Sequence, residues 1–531
     1  MRNVLLIHLE SLNYTNYKIN ERLCPTLHHW GQKSLFFSKY FATATSTMMI
    51  WSDLAYGGML QYESCRYLNE RVKKYCYPES LLDSLKKMGY QVTVLGYPKD
   101  DSGDIIGGNE NYFIGYEAEM EVPASYKQYL QAIEKAMSKE SPFMIWSCNY
   151  ISNVSYSGLM ENLEEQTGIE RWESGYRCMD SAVRDIMELL EKKELLESTT
   201  VVFYGDHGDD VFAHGKHNGL MHAIEPYESL IHTPLFIYDN RWDAEEIDVL
   251  VSTTDIKDII MQMLALPEHR LGRNNLRLPE RKYAFARNAY AAQKVRENSF
   301  HKAYSLTNGS FLFLAGDQGM ELYHIGMDNG CQHNLLDYYD FDGRELAANK
   351  SARMRMKYHF PYVMNGGAFS QVASIFHEYR KQLMKEVERL YQYADCEELL
   401  WEIDFQKIHY GWAERDARER ERASLYAAET GHYIEFDIYD RYLDGKRVLL
   451  YGAGNYGKYF YERLASRVEI VAWVDQNYNQ FSGLFGREIE SPDCMKELNF
   501  DVLFIAIADG GIKKEVMDMC MQMGIAEEKI Y

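Results

Sequence analysis

The chain has 531 residues, enough for roughly two to four domains with substantial cores. Apolar residues make up 46% of it, which excludes a disordered protein. Its 57 basic and 79 acidic residues give a formal charge of −22, which argues against non-specific nucleic-acid binding and against a polybasic membrane anchor while leaving room for local basic patches.

The first predicted strand is Val4–Ile7. It follows Met1-Arg2-Asn3 and runs on to Glu10 through VLLIHLESL. That run is too short, and too soon interrupted by His8 and Glu10, to be an export signal. No stretch approaches the ~20 apolar residues of a membrane span. Cysteines stand at 24, 65, 76, 148, 178, 331, 396, 494 and 520, with no CxxC pair among them. Free thiols in a reducing compartment are expected, hence a cytoplasmic protein, with loose attachment to a membrane through a partner left open.

Further along, Pro25–Ser34 is predicted to be helical, and Ser80–Met88 is an amphipathic helix stopped by Gly89. Tyr90–Leu95, Phe143–Trp146, Val201–Tyr204 and Thr233–Tyr238 are predicted strands, and Tyr176–Leu196 a long helix. Strands alternating with helices imply an α/β fold whose mainly parallel sheet is covered on both faces. Tyr283–Ala286, Lys302–Ser305, Phe311–Leu314 and Leu322–His324 are short predicted strands of a small antiparallel subdomain, about 280–340. Residues 370–428 are highly charged and helical, a solvated connector rather than a partner-binding coil. Near 432 a new unit begins. Arg447–Tyr451 is a strand, Gly452-Ala453-Gly454-Asn455-Tyr456-Gly457 opens a helix, Val468–Val474 is a strand ending at Asp475, and Val502–Ala506 is a third strand. The expected division is 1–365, a connector at 366–431, and 432–531.

The chemistry concentrates in VVFYGDHGDD, residues 201–210. Asp206 and His207 leave the C-terminal tip of a buried strand, where open α/β sheets bind ligands. A carboxylate and a neutral imidazole are also a usual ligand pair for zinc or manganese. Glu10 ends the first strand in the same way.

Several stretches in order resemble the alkaline phosphatase/sulfatase superfamily, above all its lipoteichoic acid synthase and phosphoethanolamine transferase branch. They are NVLLIHLESL, PTLHHWGQKSLFFSKYFATATST, GYRCMDSAVRDIMELLEKKELLESTTVVFYGDHGDD, YESLIHTPLFIY, STTDIKDIIMQML and LYHIGMDNGCQHNLLD. The resemblance implies an alkaline phosphatase-like fold over residues 1–340 and a metal held by Glu10, Thr47, Asp206 and His207. It also implies a nucleophile about ten residues before the Gly of an LAYG turn. Counting back from Gly57 gives Thr47, with Thr45 and Ser46 as rivals that would otherwise cap the helix. A helix N-terminus offers N–H groups to an anion, and a bound metal makes the hydroxyl available as alkoxide. The Cys/Ser-x-Pro-x-Arg signature from which sulfatases make formylglycine is absent, which disfavours classical sulfate-ester hydrolysis.

In AHGKHNGLMH, at least one of His214, His217 and His222 is expected to hold a second metal, bind the substrate phosphate or protonate the leaving group, His222 ahead of His214, with Lys216 as an anion contact. Similar transferases carry a substrate-binding His where this chain reads SCNYISNVSYSG, so Asn149, Tyr150 or Asn153 would have to substitute. The last unit resembles the small Rossmann-like domain of polysaccharide-modifying epimerases. Its loop glycines Gly452, Gly454 and Gly457, with Asp475 on a ribose, would hold a nucleotide or nucleotide-sugar; an empty oligomerising module is the alternative reading.

Together these imply a metal-dependent phosphotransferase with a threonine nucleophile. It would move a phosphoglycerol- or phosphoethanolamine-type group from a small or lipid-linked donor to a glycan acceptor in surface-polysaccharide modification. A phosphodiesterase or sulfatase-like ester hydrolase is the alternative, a non-catalytic glycan-assembly scaffold the second, and self-association is left open.

Overall fold

The computed structural model describes residues 1–19, 21–59, 79–96, 113–115, 122–138, 140–147, 168–209, 222, 225–288, 303–316, 319–325, 331, 334–338 and 368–391. Within 443–530 it describes all but 444, 455–456, 458–459, 462–464, 466–467, 482–483, 485 and 508–509. The chain divides into two compact units. One holds Met1–Val211, Leu220–Met320 and Arg380–Lys407, the other Phe212–Gly219, Glu321–Tyr379 and Ile408–Tyr531.

The first unit opens on β1 (Asn3–Leu9), buried throughout. Then come α1 (Tyr14–Ile19), α2 (Pro25–Gly31), β2 (Leu35–Phe37), β3 (Tyr40–Phe41), α3 (Thr47–Tyr56), α4 (Leu81–Lys87), β4 (Gln91–Gly96) and β5 (Phe113–Gly115). They are followed by α5 (Val122–Ala136), β6 (Phe143–Ser147), α6 (Gly168–Lys192), β7 (Thr199–Gly205), α7 (Glu228–Ile231), β8 (Leu235–Tyr238), β9 (Glu245–Ile247), β10 (Val251–Ser252) and α8 (Ile256–Ala265). Eight strands form one sheet in the order β5-β4-β6-β1-β7-β8-β2-β9. The run from β5 to β7 is parallel. β8 lies antiparallel to β7 and to β2, and β9 returns to parallel.

The apolar runs become central strands because helices cover the sheet. Leu5, Ile7 and Leu9 share one core with Ile133 of α5 and with Met179 and Val183 of α6. Each such side chain contributes about 1.5–3 kcal/mol by leaving water. The same helix α6 supplies a cap to α2. Its Asp180 accepts the N–H groups of Thr26 and Leu27, at 3.1 and 2.8 Å, where the N-cap residue Cys24 makes no side-chain bond. The long helix predicted at Tyr176–Leu196 thus exists, shifted to start at Gly168. The three-residue strand Leu35–Phe37 was hidden from periodicity by its length.

β11 (Ala284–Arg287), β12 (Ala303–Thr307) and β13 (Leu312–Gly316) form an antiparallel meander, as expected. β14 (Gly319–Tyr323) begins in the first unit and ends in the second. In the charged segment, α9 (Ala368–Tyr391) is a single helix, and the remainder of the predicted connector lies outside the described residues.

Toward the C-terminus, β15 (Arg447–Tyr451), β16 (Glu469–Val474) and β17 (Val502–Ile505) form a parallel sheet in the order β16-β15-β17, followed by α10 (Gly510–Gln522). Val448 and Leu450 enter one core and Leu449 and Tyr451 another, so both faces are covered and the strand reads as one apolar run. Among the described residues, no helix is long and apolar enough to cross a membrane.

Candidate active site and metal centre

β1 and β7 pair in register, His8 opposite Tyr204 and Leu9 opposite Gly205, so Glu10 and Asp206 leave neighbouring strand tips together. Ser11 then takes a left-handed conformation, φ 57°. For a residue with a side chain this is strained, and the hydrogen bonds around it hold it there. Its N–H donates to Asp206 Oδ1 at 3.0 Å, its hydroxyl donates to Glu10 Oε1 at 3.3 Å, and Tyr176 on α6 donates to its carbonyl at 2.6 Å. One oxygen of each carboxylate is thereby occupied from outside. The other two, Glu10 Oε2 and Asp206 Oδ2, meet the imidazoles described next.

Glycines let the backbone pass. A Cβ on Gly208 would sit 2.0 Å from the carbonyl oxygen of Ser229, and one on Gly205 would sit 2.9 Å from that of Leu12. Neither position has room for any side chain. Between them lies His207, fully buried. Its Nδ1 is 3.0 Å from the Gly208 carbonyl, a contact that makes Nδ1 the donor and leaves the Nε2 lone pair facing inward. Burial pushes the His207 imidazolium down to about 4 despite the adjacent Asp206, so the ring is neutral, the form that binds metal. Burial alone would raise the Asp206 carboxyl, but His207 and His8 hold it below the usual carboxylate range.

Thr47 is the first residue of α3, with Ser46 at the N-cap and Gly57 closing the helix at φ 68°. Its hydroxyl lies 3.1 Å from His207 Nε2 and 3.5 Å from Glu10 Oε2. His207 Nε2 is 3.2 Å from Asp206 Oδ2. The four residues expected to form the metal site therefore converge. Glu10, Asp206 and His207 are all fully buried. Two fully buried carboxylates side by side repel each other unless positive charge joins them, and this donor set of oxygen and neutral nitrogen suits a divalent ion.

His222 is brought to the same place. Its ring stacks on His207 with centroids 4.5 Å apart, and its Nδ1 lies 3.0 Å from Asp209 Oδ1. Asp209 fixes the ring as a carboxylate fixes a catalytic histidine. The sequence reading passed over Asp209 although it stands two residues after His207. It also passed over His8, whose Nε2 is 3.2 Å from Glu10 Oε2 and 3.1 Å from Asp206 Oδ2. The period of two in His8-Leu9-Glu10 was the available signal for it. His214, Lys216, His217, Asn149, Tyr150 and Asn153 lie outside the described residues.

In the second unit, Gly452 has φ 106°, and a Cβ on Gly457 would sit 1.8 Å from the Gly452 carbonyl oxygen. Gly454 has open space beside it. Asp475 is turned onto its own loop. Its Oδ2 accepts the Ala453 N–H and its Oδ1 the Asn477 N–H, both at 2.7 Å.

Residues 2–266, which contain the whole of the converged cluster, match the family model described as sulfatase. The chain carries a sulfatase-family domain. Enzymes of the sulfatase family work with a divalent metal ion, and among the described residues His8, Glu10 and Asp206 form a buried group that could hold one. A solved 2-O GAG sulfatase superposes with a TM-score of 0.54 at 13% identity, covering 76% of this chain and 95% of its own. A Bacteroides thetaiotaomicron protein assigned as a sulfatase gives 0.52 at 13% identity, with the same shares of 76% and 95%. The phosphonate monoester hydrolase of Agrobacterium radiobacter gives 0.47 at 14% identity, over 64% of this chain and 93% of its own. At such identities the first two likenesses show the fold of the sulfatase-family domain. Residues 444–531 match a second family model, described as C2185-like, N-terminal. Among curated proteins no sequence matches the chain. The comparisons support sulfatase-family ester chemistry and do not extend to the preference for phosphotransfer.

Proposed function

We propose that the sulfatase-family domain cleaves phosphate esters through a covalent phospho-threonine at Thr47. The observation that carries this reading is the Thr47 hydroxyl at the N-terminus of α3, 3.1 Å from His207 Nε2, in a chain without the formylglycine signature. A threonine cannot become a formylglycine. Its alkoxide is suited to attack on phosphorus. Glu10, Asp206, His207 and Thr47 would hold a divalent ion, which when bound supplies positive charge to the nucleophile and to the phosphoryl oxygens.

The chain's own residues do the rest. Ser11 orients the carboxylates, and the N-terminal N–H groups of α3 face the anion. Thr47 loses its proton to solvent, Thr47 Oγ bonds to phosphorus, and the ester P–O bond breaks. His222, held by Asp209, donates a proton to the departing alcohol. A second hydroxyl then gives its proton to the deprotonated His222 and attacks phosphorus, the Thr47 Oγ–P bond breaks, and Thr47 takes a proton back from solvent. By the transferase resemblance that acceptor is a glycan hydroxyl and the donor carries a phosphoglycerol- or phosphoethanolamine-type group; with water as acceptor the enzyme is a hydrolase. The sulfatase neighbours favour a second reading, sulfate-ester hydrolysis at the same threonine.

Intact-mass measurement separates these. After incubation with lipid-linked phosphoglycerol or phosphoethanolamine donors, a mass increase of the matching group is expected on the wild type and not on Thr47→Ala. Release of sulfate from sulfated sugars with no phosphorylated intermediate would establish the second reading instead.

For the C-terminal unit, we propose a structural or oligomerising Rossmann-like module with an empty loop. Both oxygens of Asp475 already accept backbone N–H groups, which supports a loop-fastening role over a ribose contact. Calorimetric titration with nucleotides and nucleotide-sugars is expected to show no saturable binding. Micromolar binding abolished by Asp475→Ala would overturn this.

A further inference from the structure

We infer that His8 is itself a ligand of the metal centre proposed above, so that the site offers two imidazoles with two carboxylates and selects zinc or a similar transition ion over calcium or magnesium. His8 is fully buried on β1. Side chains two apart on a strand share a face, so His8 and Glu10 approach the site from the same side. The ring is fixed by its surroundings, stacked on Tyr204 with centroids 5.5 Å apart and set edge-on to Trp51 at 5.6 Å. That placement brings Nε2 to 3.2 Å from Glu10 Oε2 and 3.1 Å from Asp206 Oδ2.

The spacing of the whole set is informative. Asp206 Oδ2 to His207 Nε2 is 3.2 Å, His207 Nε2 to Thr47 Oγ1 is 3.1 Å, and Thr47 Oγ1 to Glu10 Oε2 is 3.5 Å. Donors that share one ion at about 2.0–2.2 Å stand about 3.0–3.5 Å from one another. His8 Nε2 fits that spacing on two sides as well as His207 does. A purely structural histidine would need only one carboxylate. Here Nε2 stands against the inner oxygens of both, Glu10 Oε2 and Asp206 Oδ2, whose partner oxygens Ser11 occupies.

The consequence is selectivity. Calcium and magnesium take oxygen ligands, and an imidazole adds little for them, whereas zinc and its neighbours gain from each nitrogen. X-ray absorption on the zinc-loaded full chain is expected to show scattering from two imidazoles; a single imidazole would overturn the assignment. In parallel, zinc and calcium affinities are compared by chelator competition for the wild type, His8→Phe and Asp206→Asn. His8→Phe is expected to weaken zinc binding about tenfold or more while calcium binding moves far less. Unchanged zinc affinity, or equal weakening of both ions, rejects the role of His8, while loss of both ions in Asp206→Asn shows that the centre itself stands. If the wild type binds neither ion, the metal centre and the role of His8 fall together. Should His8→Phe not fold, the absorption measurement on the wild type decides.

Discussion

Thr47→Ala is expected to lower turnover by about a thousandfold or more, equivalent to roughly 4 kcal/mol of transition-state stabilisation. The chain should still fold, because Thr47 is the first residue of a ten-residue helix whose Ser46 N-cap makes no side-chain cap bond and whose other end closes on Gly57. Metal content should fall only in part, since Glu10, Asp206 and the imidazoles remain. Thr47→Ser keeps the hydroxyl and is expected to retain turnover within about tenfold. The measurement is turnover of the donor identified by mass, together with metal analysis of each variant. Activity in Thr47→Ala close to wild type would remove the threonine from the mechanism and return attention to a directly activated water.

The largest effect on stability is expected at Arg287. Its guanidinium, buried on β11, grips Asp53 of α3 with two bonds, Nη1 to Oδ2 at 2.9 Å and Nη2 to Oδ1 at 3.0 Å. Thr43 donates to the same carboxylate at 2.5 Å, and Arg287 Nη1 also reaches the Thr43 carbonyl at 3.2 Å. Removing the arginine would take the paired guanidinium contact from a fully buried carboxylate. Arg287→Ala is therefore expected to destabilise the first unit by about 3–5 kcal/mol, read as a large fall in the unfolding midpoint. Arg287→Lys should not rescue it, because an ammonium cannot make the paired contact. Asp53→Leu combined with Arg287→Met, which removes both charges, should recover much of the loss. An Arg287→Ala protein as stable as wild type would mean that water reaches Asp53.

These two residues show where sequence reasoning succeeds and where it stops. Asp206, His207, Glu10 and Thr47 could be picked out because their signals are local: a carboxylate and imidazole after an apolar run, an acid ending another, a hydroxyl a fixed distance before a glycine. The Arg287–Asp53 pair carries no such signal, since the two lie 234 residues apart and meet only through tertiary packing. His8 was legible in principle, yet a histidine inside VLLIHLE reads as a break in the apolar run until its neighbour Tyr204 is placed opposite it. Asp209 was passed over because its partner His222 lies 13 residues on, and only the folded chain brings the two together. The parallel half of the sheet was predictable from uninterrupted apolar strands. The antiparallel pairing of β8 was not, because a strand covered on both faces looks alike in either direction.

The pairing of β1 with β7 also bears on how the protein is made. Ser11 fastens Asp206 across 195 residues of chain, so the two carboxylate arms of the centre leave the ribosome far apart in time. At synthesis rates of about 5–20 residues per second, that interval is about 10–40 s. Until it has passed, the growing chain has Glu10 and Thr47 but neither Asp206 nor His207, and no fragment ending before β7 can assemble the cluster. On the reading proposed above, the Thr47 hydroxyl would therefore have no partner imidazole until β7 has been made and paired with β1.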